Sequence, residues 1–352
     1  MFISKNFRLK KRSYFIILIS VIAIVYFINS FLIYFSNNTD FNYKEITFYV
    51  DNDDNIDSLA IKLQPYLKSK NSFIKVAKKK GYTNNIKSGK YLIKKGSSNN
   101  DIINNLRINR LTVKVIFNNQ ERLEDLASRV SKQIMADSIS LIKSFLDSDF
   151  LIKKGFDSLN ALSMYIPNTY DFYWDVSPEK FRDRMWNEYN SFWTKDLKIK
   201  AKKNNLSKIE VYILASIVQK ESSKEIEKSK IAAVYLNRIK RNMKLQADPT
   251  VIYAIKKESN NFKKIIKRVL YKDLKIRSRH NTYYSKGLPP SPICMPDVST
   301  IKAVLNPENH IYLYFVVDPQ NPGFHLFSKD LVQHNKNKRK YTNWLNKKKI
   351  FR

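Results

Sequence analysis

Residues 209–253 read IEVYILASIVQKESSKEIEKSKIAAVYLNRIKRNMKLQADPTVIY, the densest helical pattern in the chain. Leu214, Ile217, Val218 and Glu221 fall at i, i+3, i+4 and i+7, which sets Glu221 on the apolar stripe at the end of a helix. A carboxyl group beside apolar walls resists ionising, so its pKa rises and a proton stays available near neutral pH, as a general acid requires. The competing reading turns the same carboxylate to solvent or onto Lys220 or Lys224, and periodicity near a helix end leaves both open. Glu225 and Glu227, with Lys224 and Lys228 around them, read as a solvated charged loop or turn. Asp248-Pro249 opens a further helix, with Asp as N-cap and Pro at the first helical position, and Asp248 is in addition a candidate substrate contact.

Downstream, His280 to Pro292 (HNTYYSKGLPPSP) gathers hydrogen-bonding side chains beside aromatic rings. Such loops suit sugars, whose faces stack and whose hydroxyls need donors and acceptors; a plain loop with three prolines is the alternative. Ile311–Val317 reads as a buried strand, and Phe324–Ser328 returns after a Pro/Asn/Gly turn as its hairpin partner. Upstream, Leu111–Phe117 alternates as a strand and Arg122–Ile134 follows as an amphipathic helix, with more helical pattern between Ile139 and Ser163. Glu45–Val50 is strand-like, and Asn55 is placed to cap a helix over Ile56–Tyr66. A short helix at Phe73–Lys79, a strand at Lys90–Ile93 and a capping box at Ser98–Asp101 opening a helix over Ile102–Leu106 complete a small α+β module.

The N-terminus carries a different signal. Tyr14–Phe35 is 22 residues without a charge, enough to cross a hydrocarbon core that needs about 20. Lys5, Arg8, Lys10, Lys11 and Arg12 precede it with no acid among them, so the positive-inside bias leaves residues 1–13 in the cytoplasm and exports the remainder. A cleaved signal peptide has a shorter apolar region and small residues at its end, which Phe35-Ser36-Asn37-Asn38 lacks; a buried core helix is the other competitor.

Lys+Arg 64 against Asp+Glu 31 gives a formal net charge of +33 over 352 residues. Basic runs such as Lys78-Lys79-Lys80 and Lys347-Lys348-Lys349 lie far apart, and an exported domain meets anionic lipid and envelope polymers rather than nucleic acid, so no nucleic-acid partner is expected. The eight basic residues between Lys336 and Arg352 are expected to face such a surface or to form a frayed solvated tail. One cysteine, Cys294, excludes an internal disulfide and a cysteine metal cage. Four scattered histidines form no H-x-x-x-H pair, so neither metal nor cofactor is expected.

Five ordered blocks then resemble the endolytic murein transglycosylases, the YceG-like family. They are LASIVQKE at Leu214–Glu221, VYLNRI at Val234–Ile239, MKLQADPTVIY at Met243–Tyr253, NTYYSKGLPPSPI at Asn281–Ile293, and YLYFV at Tyr312–Val316 with GFHLFS at Gly323–Ser328 and His334-Asn335. The resemblance implies an α+β protein with a single N-terminal transmembrane helix (14–35), a small LysM-like α+β module (44–112) and an α+β catalytic domain (113–352). It also implies Glu221 as the catalytic acid and base, cleavage of the MurNAc–GlcNAc β-1,4 bond within glycan strands with a 1,6-anhydro product, and peptidoglycan synthases as partners. Gln246, Asp248, Asn281, Tyr283 and His325 are the candidate substrate-binding residues. Departures are Gln219 where the family commonly has Glu, Ser278-Arg279-His280 before Asn281, and Ile166-Pro167-Asn168-Thr169-Tyr170 for F-P-D-T-Y. A lysozyme-like hydrolase using Glu221 with Asp248 or Glu225, and a membrane-tethered glycan-binding protein with an inert Glu221, are the alternatives.

Overall fold

The structure is a computed structural model that describes residues 3–347. It is a mixed helix and strand architecture in two compact units, one running up to Lys114 and including Asp171–Val176, the other comprising Val115–Tyr170 and the chain from Ser177 onward.

The first unit holds α1 (Ile3–Phe35), β1 (Glu45–Val50), α2 (Ile56–Leu63), α3 (Lys70–Lys79), β2 (Gly89–Lys94) and α4 (Asn99–Ile108). Local chemistry sets its boundaries. Asn55 Oδ1 accepts from the backbone N–H of Asp57 and Ser58 while Ser58 Oγ accepts from that of Asn55, and Ser98 with Asp101 repeats the reciprocal arrangement at α4. β1 pairs antiparallel with β2 from Glu45↔Lys94 to Val50↔Gly89. Helices α2 to α4 and this strand pair close over Phe48, Leu59, Phe73, Tyr91, Ile102 and Leu106. Asp171–Val176 belongs here because Trp174 packs on Tyr49 (4.7 Å) and Asp175 takes both the Ser88 hydroxyl and the Arg110 guanidinium. Tyr14–Phe35 within α1 is long and apolar enough to cross a membrane, with mean hydropathy 2.7 and none of that stretch buried. A core helix would be covered by protein, so that alternative does not describe α1.

The second unit runs β3 (Thr112–Phe117), α5 (Leu123–Ser131), α6 (Ser138–Phe145), α7 (Ser148–Lys154), β4 (Asn168–Tyr173), α8 (Pro178–Phe192), α9 (Lys195–Lys203), α10 (Lys208–Glu221), α11 (Glu225–Lys240), α12 (Asp248–Glu258), α13 (Val298–Leu305), β5 (Tyr314–Val317), β6 (His325–Ser328) and α14 (Leu331–Lys347). β3 pairs with β4, and the boundary between the units falls inside both strands. α10 is the axis of this unit. Every residue from Val211 to Val218 is buried, the signature of a helix surrounded by others, and α11, α12 and α13 pack around it.

Three expectations change. The segment from Glu225 is the first turn of α11 rather than a loop, and Glu227 and Lys228 are buried at 6% and 1% exposure. The predicted strand at Ile311–Val317 shortens to Tyr314–Val317 and is half-buried, because only its hairpin mate β6 pairs with it and α14 covers it in part. The basic C-terminal segment is helical through Lys347, and residues 348–352 lie outside the described residues.

Candidate active site

The last turn of α10 points three consecutive side chains in three directions, as the helical step of about 100° per residue requires. Gln219 faces α13, donating from Nε2 to Asp297 Oδ2 (3.0 Å) and accepting at Oε1 from the Asp297 N–H (3.1 Å) and the Thr300 hydroxyl. Lys220 faces away and pairs with Glu121 at 2.9 Å, which removes it as a partner for Glu221. Glu221 turns into a cleft of about 400 Å³ lined also by Tyr235, Arg238, Gln246, Asp248, Tyr283 and His325.

Glu221 Oε1 accepts the Tyr235 hydroxyl proton. Burial pushes the Glu221 carboxyl up to about 7; the Tyr235 bond and the Arg238 charge oppose that rise, and the Asp248 charge adds to it. Tyr235 is 2% exposed and its ring stands edge-on to Phe315 of β5 (5.9 Å, 85°), so the hydroxyl has a fixed direction. Burial holds the Tyr235 phenol well above its ordinary pKa, and it therefore remains a donor across the physiological range.

Asp248 does not cap α12. Ala247 occupies the cap position without a side-chain bond, and the Asp248 carboxylate instead accepts from Tyr283 Oη at 2.7 Å. The turn before it is unusual: Gln246 has φ +53°, a left-handed conformation that non-glycine residues adopt at a cost of about 1 kcal/mol. Its N–H donates to Thr282 O (3.2 Å) and its Oε1 accepts from Arg238 Nη1 (3.2 Å), so the turn is held on both sides. Arg238 also donates to the backbone carbonyls of Leu245 (2.8 Å) and Leu313 (2.6 Å) and lies over the Tyr314 ring (4.9 Å).

His325, at the start of β6, reaches the cleft through a carboxylate the sequence reading left in solvent. Its N–H donates to Glu227 Oε1 (2.9 Å), and its Nδ1 lies 3.0 Å from Glu227 Oε2, which makes Nδ1 the protonated nitrogen beside this acceptor. Lys228, next in the chain, is held by Glu225, Thr300 Oγ1 (2.8 Å) and Gln219 Oε1 (3.4 Å). Glu225 is thus tied to Lys228 and does not line the cleft.

Five of the six candidate residues line one cleft, and Asn281 does not. Asn281 is fully buried, its Nδ2 donating to Leu274 O (3.0 Å) and Ile276 O (2.9 Å) and its Oδ1 accepting from the Tyr283 N–H (2.9 Å). It shapes the loop that delivers Tyr283. Tyr235, Arg238, Tyr314 and the α14 residues His334, Asn335 and Lys338 also line the cleft; they fall in or beside the family blocks but were not among the candidate site residues. A signal existed for two of them: Tyr235 and Arg238 are i, i+3 neighbours in the mostly apolar run IAAVYLNRI. Among the described residues no cluster of His, Cys, Asp and Glu is arranged to hold a metal ion.

A half-buried carboxyl with a pKa near 7, one oxygen held by a fixed donor and a second acid nearby, can donate a proton and take one back within one reaction. The profile described as the YceG-like family matches residues 48–340. The chain is 32% identical over 305 residues to a Bacillus subtilis (strain 168) protein named endolytic murein transglycosylase, covering 82% of each. A shorter similarity, 31% over 142 residues, joins it to the endolytic murein transglycosylase of Streptococcus pneumoniae serotype 2 (strain D39 / NCTC 7466), covering 40% of this chain and 25% of that protein. A crystal structure of a yceG-like protein from Listeria monocytogenes superposes with a TM-score of 0.57 at 26% identity, over 83% of this chain and 98% of that one.

Proposed function

Because the chain belongs to the YceG-like family, we propose that it is a membrane-anchored endolytic lytic transglycosylase that cleaves the MurNAc–GlcNAc β-1,4 bond within peptidoglycan strands. The observation that carries this reading is Glu221, an acid with a pKa near 7 whose Oε1 is held by Tyr235 in the cleft.

In this mechanism the protonated Glu221 gives its proton to the glycosidic oxygen as the bond from that oxygen to the muramic C1 breaks. The resulting carboxylate takes the proton of the muramic C6 hydroxyl while O6 bonds to C1, closing a 1,6-anhydro ring and restoring the acid without water. An internal nucleophile already in place removes the need for a second catalytic carboxylate. Asp248, held by Tyr283, supplies negative charge for the positive character that develops at C1, and Gln246, Tyr283 and His325 contact the sugar.

The presence of Asp248 beside Glu221 favours one rival, a lysozyme-like hydrolysis in which Asp248 acts as the second carboxylate. Mass spectrometry of digested sacculi separates the two, since hydrolysis leaves products heavier by one water than anhydro ends. Anhydro ends that vanish in Glu221→Gln support the transglycosylase; reducing ends from the wild type overturn it.

Tyr14–Phe35 supports a single-pass anchor with residues 1–13 in the cytoplasm and the cleft outside. That topology sets the enzyme where strands are synthesised, consistent with peptidoglycan synthases as partners and termination of nascent strands as the role. Protease added to spheroplasts should digest the exported part, and full protection would overturn the orientation.

A further inference from the structure

Between α12 and the loop that carries Tyr283, residues 261–279 read NFKKIIKRVLYKDLKIRSR. Eight of these nineteen residues are Lys or Arg and one, Asp273, is acidic, against 64 Lys+Arg in 352 for the whole chain. Apart from the short turn Asp273–Lys275 the segment has no helix or strand. A stretch this long without regular structure in a compact unit commonly serves a function. Lys263, Lys264, Lys267, Lys272 and Lys275 form no ion pair with any described residue. Apolar side chains stand in water among them, Ile265 at 84% and Tyr271 at 81% exposure.

The segment also completes a cavity of about 380 Å³. Ile265 and Ile266 line it together with Ile252 and Ile293, and Lys263 and Lys264 line it as well. Apolar surface beside unpaired ammonium groups matches an amphiphile with an anionic head. A hydrophilic polyanion would satisfy the lysines and leave the isoleucines unmatched.

We propose that residues 261–279 form a docking surface for an anionic phospholipid bilayer. Phosphate headgroups meet the lysines, while Ile265 and Tyr271 enter the interface. The inference rests on the membrane-anchored reading, because α1 in the same chain supplies the bilayer.

The full-length chain in nanodiscs tests it. Cys294, the single cysteine, is buried, so Ile265→Cys at an exposed position can be labelled selectively with an environment-sensitive dye. With spin-labelled lipid present, dye emission should fall about twofold in phosphatidylglycerol discs, stay unquenched in phosphatidylcholine discs, and recover in high salt. Replacing Lys263, Lys264, Lys267 and Lys272 by Glu should abolish the quenching. A dye on Ser36→Cys, at the end of α1, serves as the reference. If it is quenched and the 265 dye is not, or if the 265 dye is quenched equally in both lipids, the docking surface is overturned while the anchor stands. If the 265 dye responds to soluble polyglycerol phosphate and not to the bilayer, a polyanionic polymer is the partner and the proposal is wrong. If neither dye is quenched, the anchor reading itself fails.

Discussion

The end of α10 and the first turn of α11 each take a carboxylate out of bulk water, and they do so in opposite ways. Glu221 receives one neutral hydroxyl donor, from Tyr235, and its pKa climbs to about 7. Glu227 receives a backbone N–H and an imidazole N–H from His325, and Lys228 beside it receives Glu225, Thr300 and Gln219. An acid with matched donors is a brace. An acid buried with a single neutral donor keeps its proton to near-neutral pH and can give it away.

The contrast breaks most visibly at Glu221 itself. Glu221→Gln should lower turnover by about 10²- to 10⁴-fold, the usual worth of a positioned acid and base, read as loss of anhydro ends from sacculi. On the bracing side, Lys228→Ala should cost about 2–3 kcal/mol of stability through the lost packing of a side chain 1% exposed, while Lys228→Met, which refills that space, costs less than about 1.5 kcal/mol. Thermal unfolding measures both, and the pH profile of activity should not move in either.

Tyr235→Phe keeps the ring against Phe315 and removes only the donor. Turnover should fall by about 10- to 100-fold with KM unchanged. Since the Tyr235 bond lowers the Glu221 pKa, its loss should move the high-pH limb of the profile above about 7. An unmoved limb would mean that Tyr235 is packing alone.

The smallest effect is one of stability. The folded pKa of Glu221 lies above the 4.5 of an unperturbed glutamate, so stability present below pH 4.5 is lost as pH rises through about 7. Glu221→Gln should therefore gain stability relative to the parent as pH rises from 4 to 8, as read by denaturant titration.

What could be read from sequence follows the range of the forces involved. Asn55 and Ser98 bond within three residues of themselves, and the helices they open were legible. Periodicity alone left Glu221 open between cleft and solvent, because a helix buried on every side from Val211 to Val218 has no single apolar stripe to fix its phase, and the resemblance of the surrounding blocks decided it. Glu227 and Lys228 were misread because their partners lie far along the chain, His325 at a separation of 98 residues and Thr300 at 72. Local periodicity carries no record of them. The cap reading of Asp248 failed for a related reason: Asp-Pro at a helix start satisfies the capping pattern, and only the distant Tyr283 shows where the carboxylate goes.

One turn of α10 is bolted on three sides, by Asp297 and Thr300 through Gln219, by Glu121 through Lys220 and by Tyr235 through Glu221 itself. The three sets of bonds together fix where the acid sits. The cleft therefore works like a vice with one fixed jaw. The opposite jaw, the short β5–β6 hairpin and α14, is tied back to α11 by the His325–Glu227 bonds, so any adjustment to a bulkier glycan has to leave that pair in place.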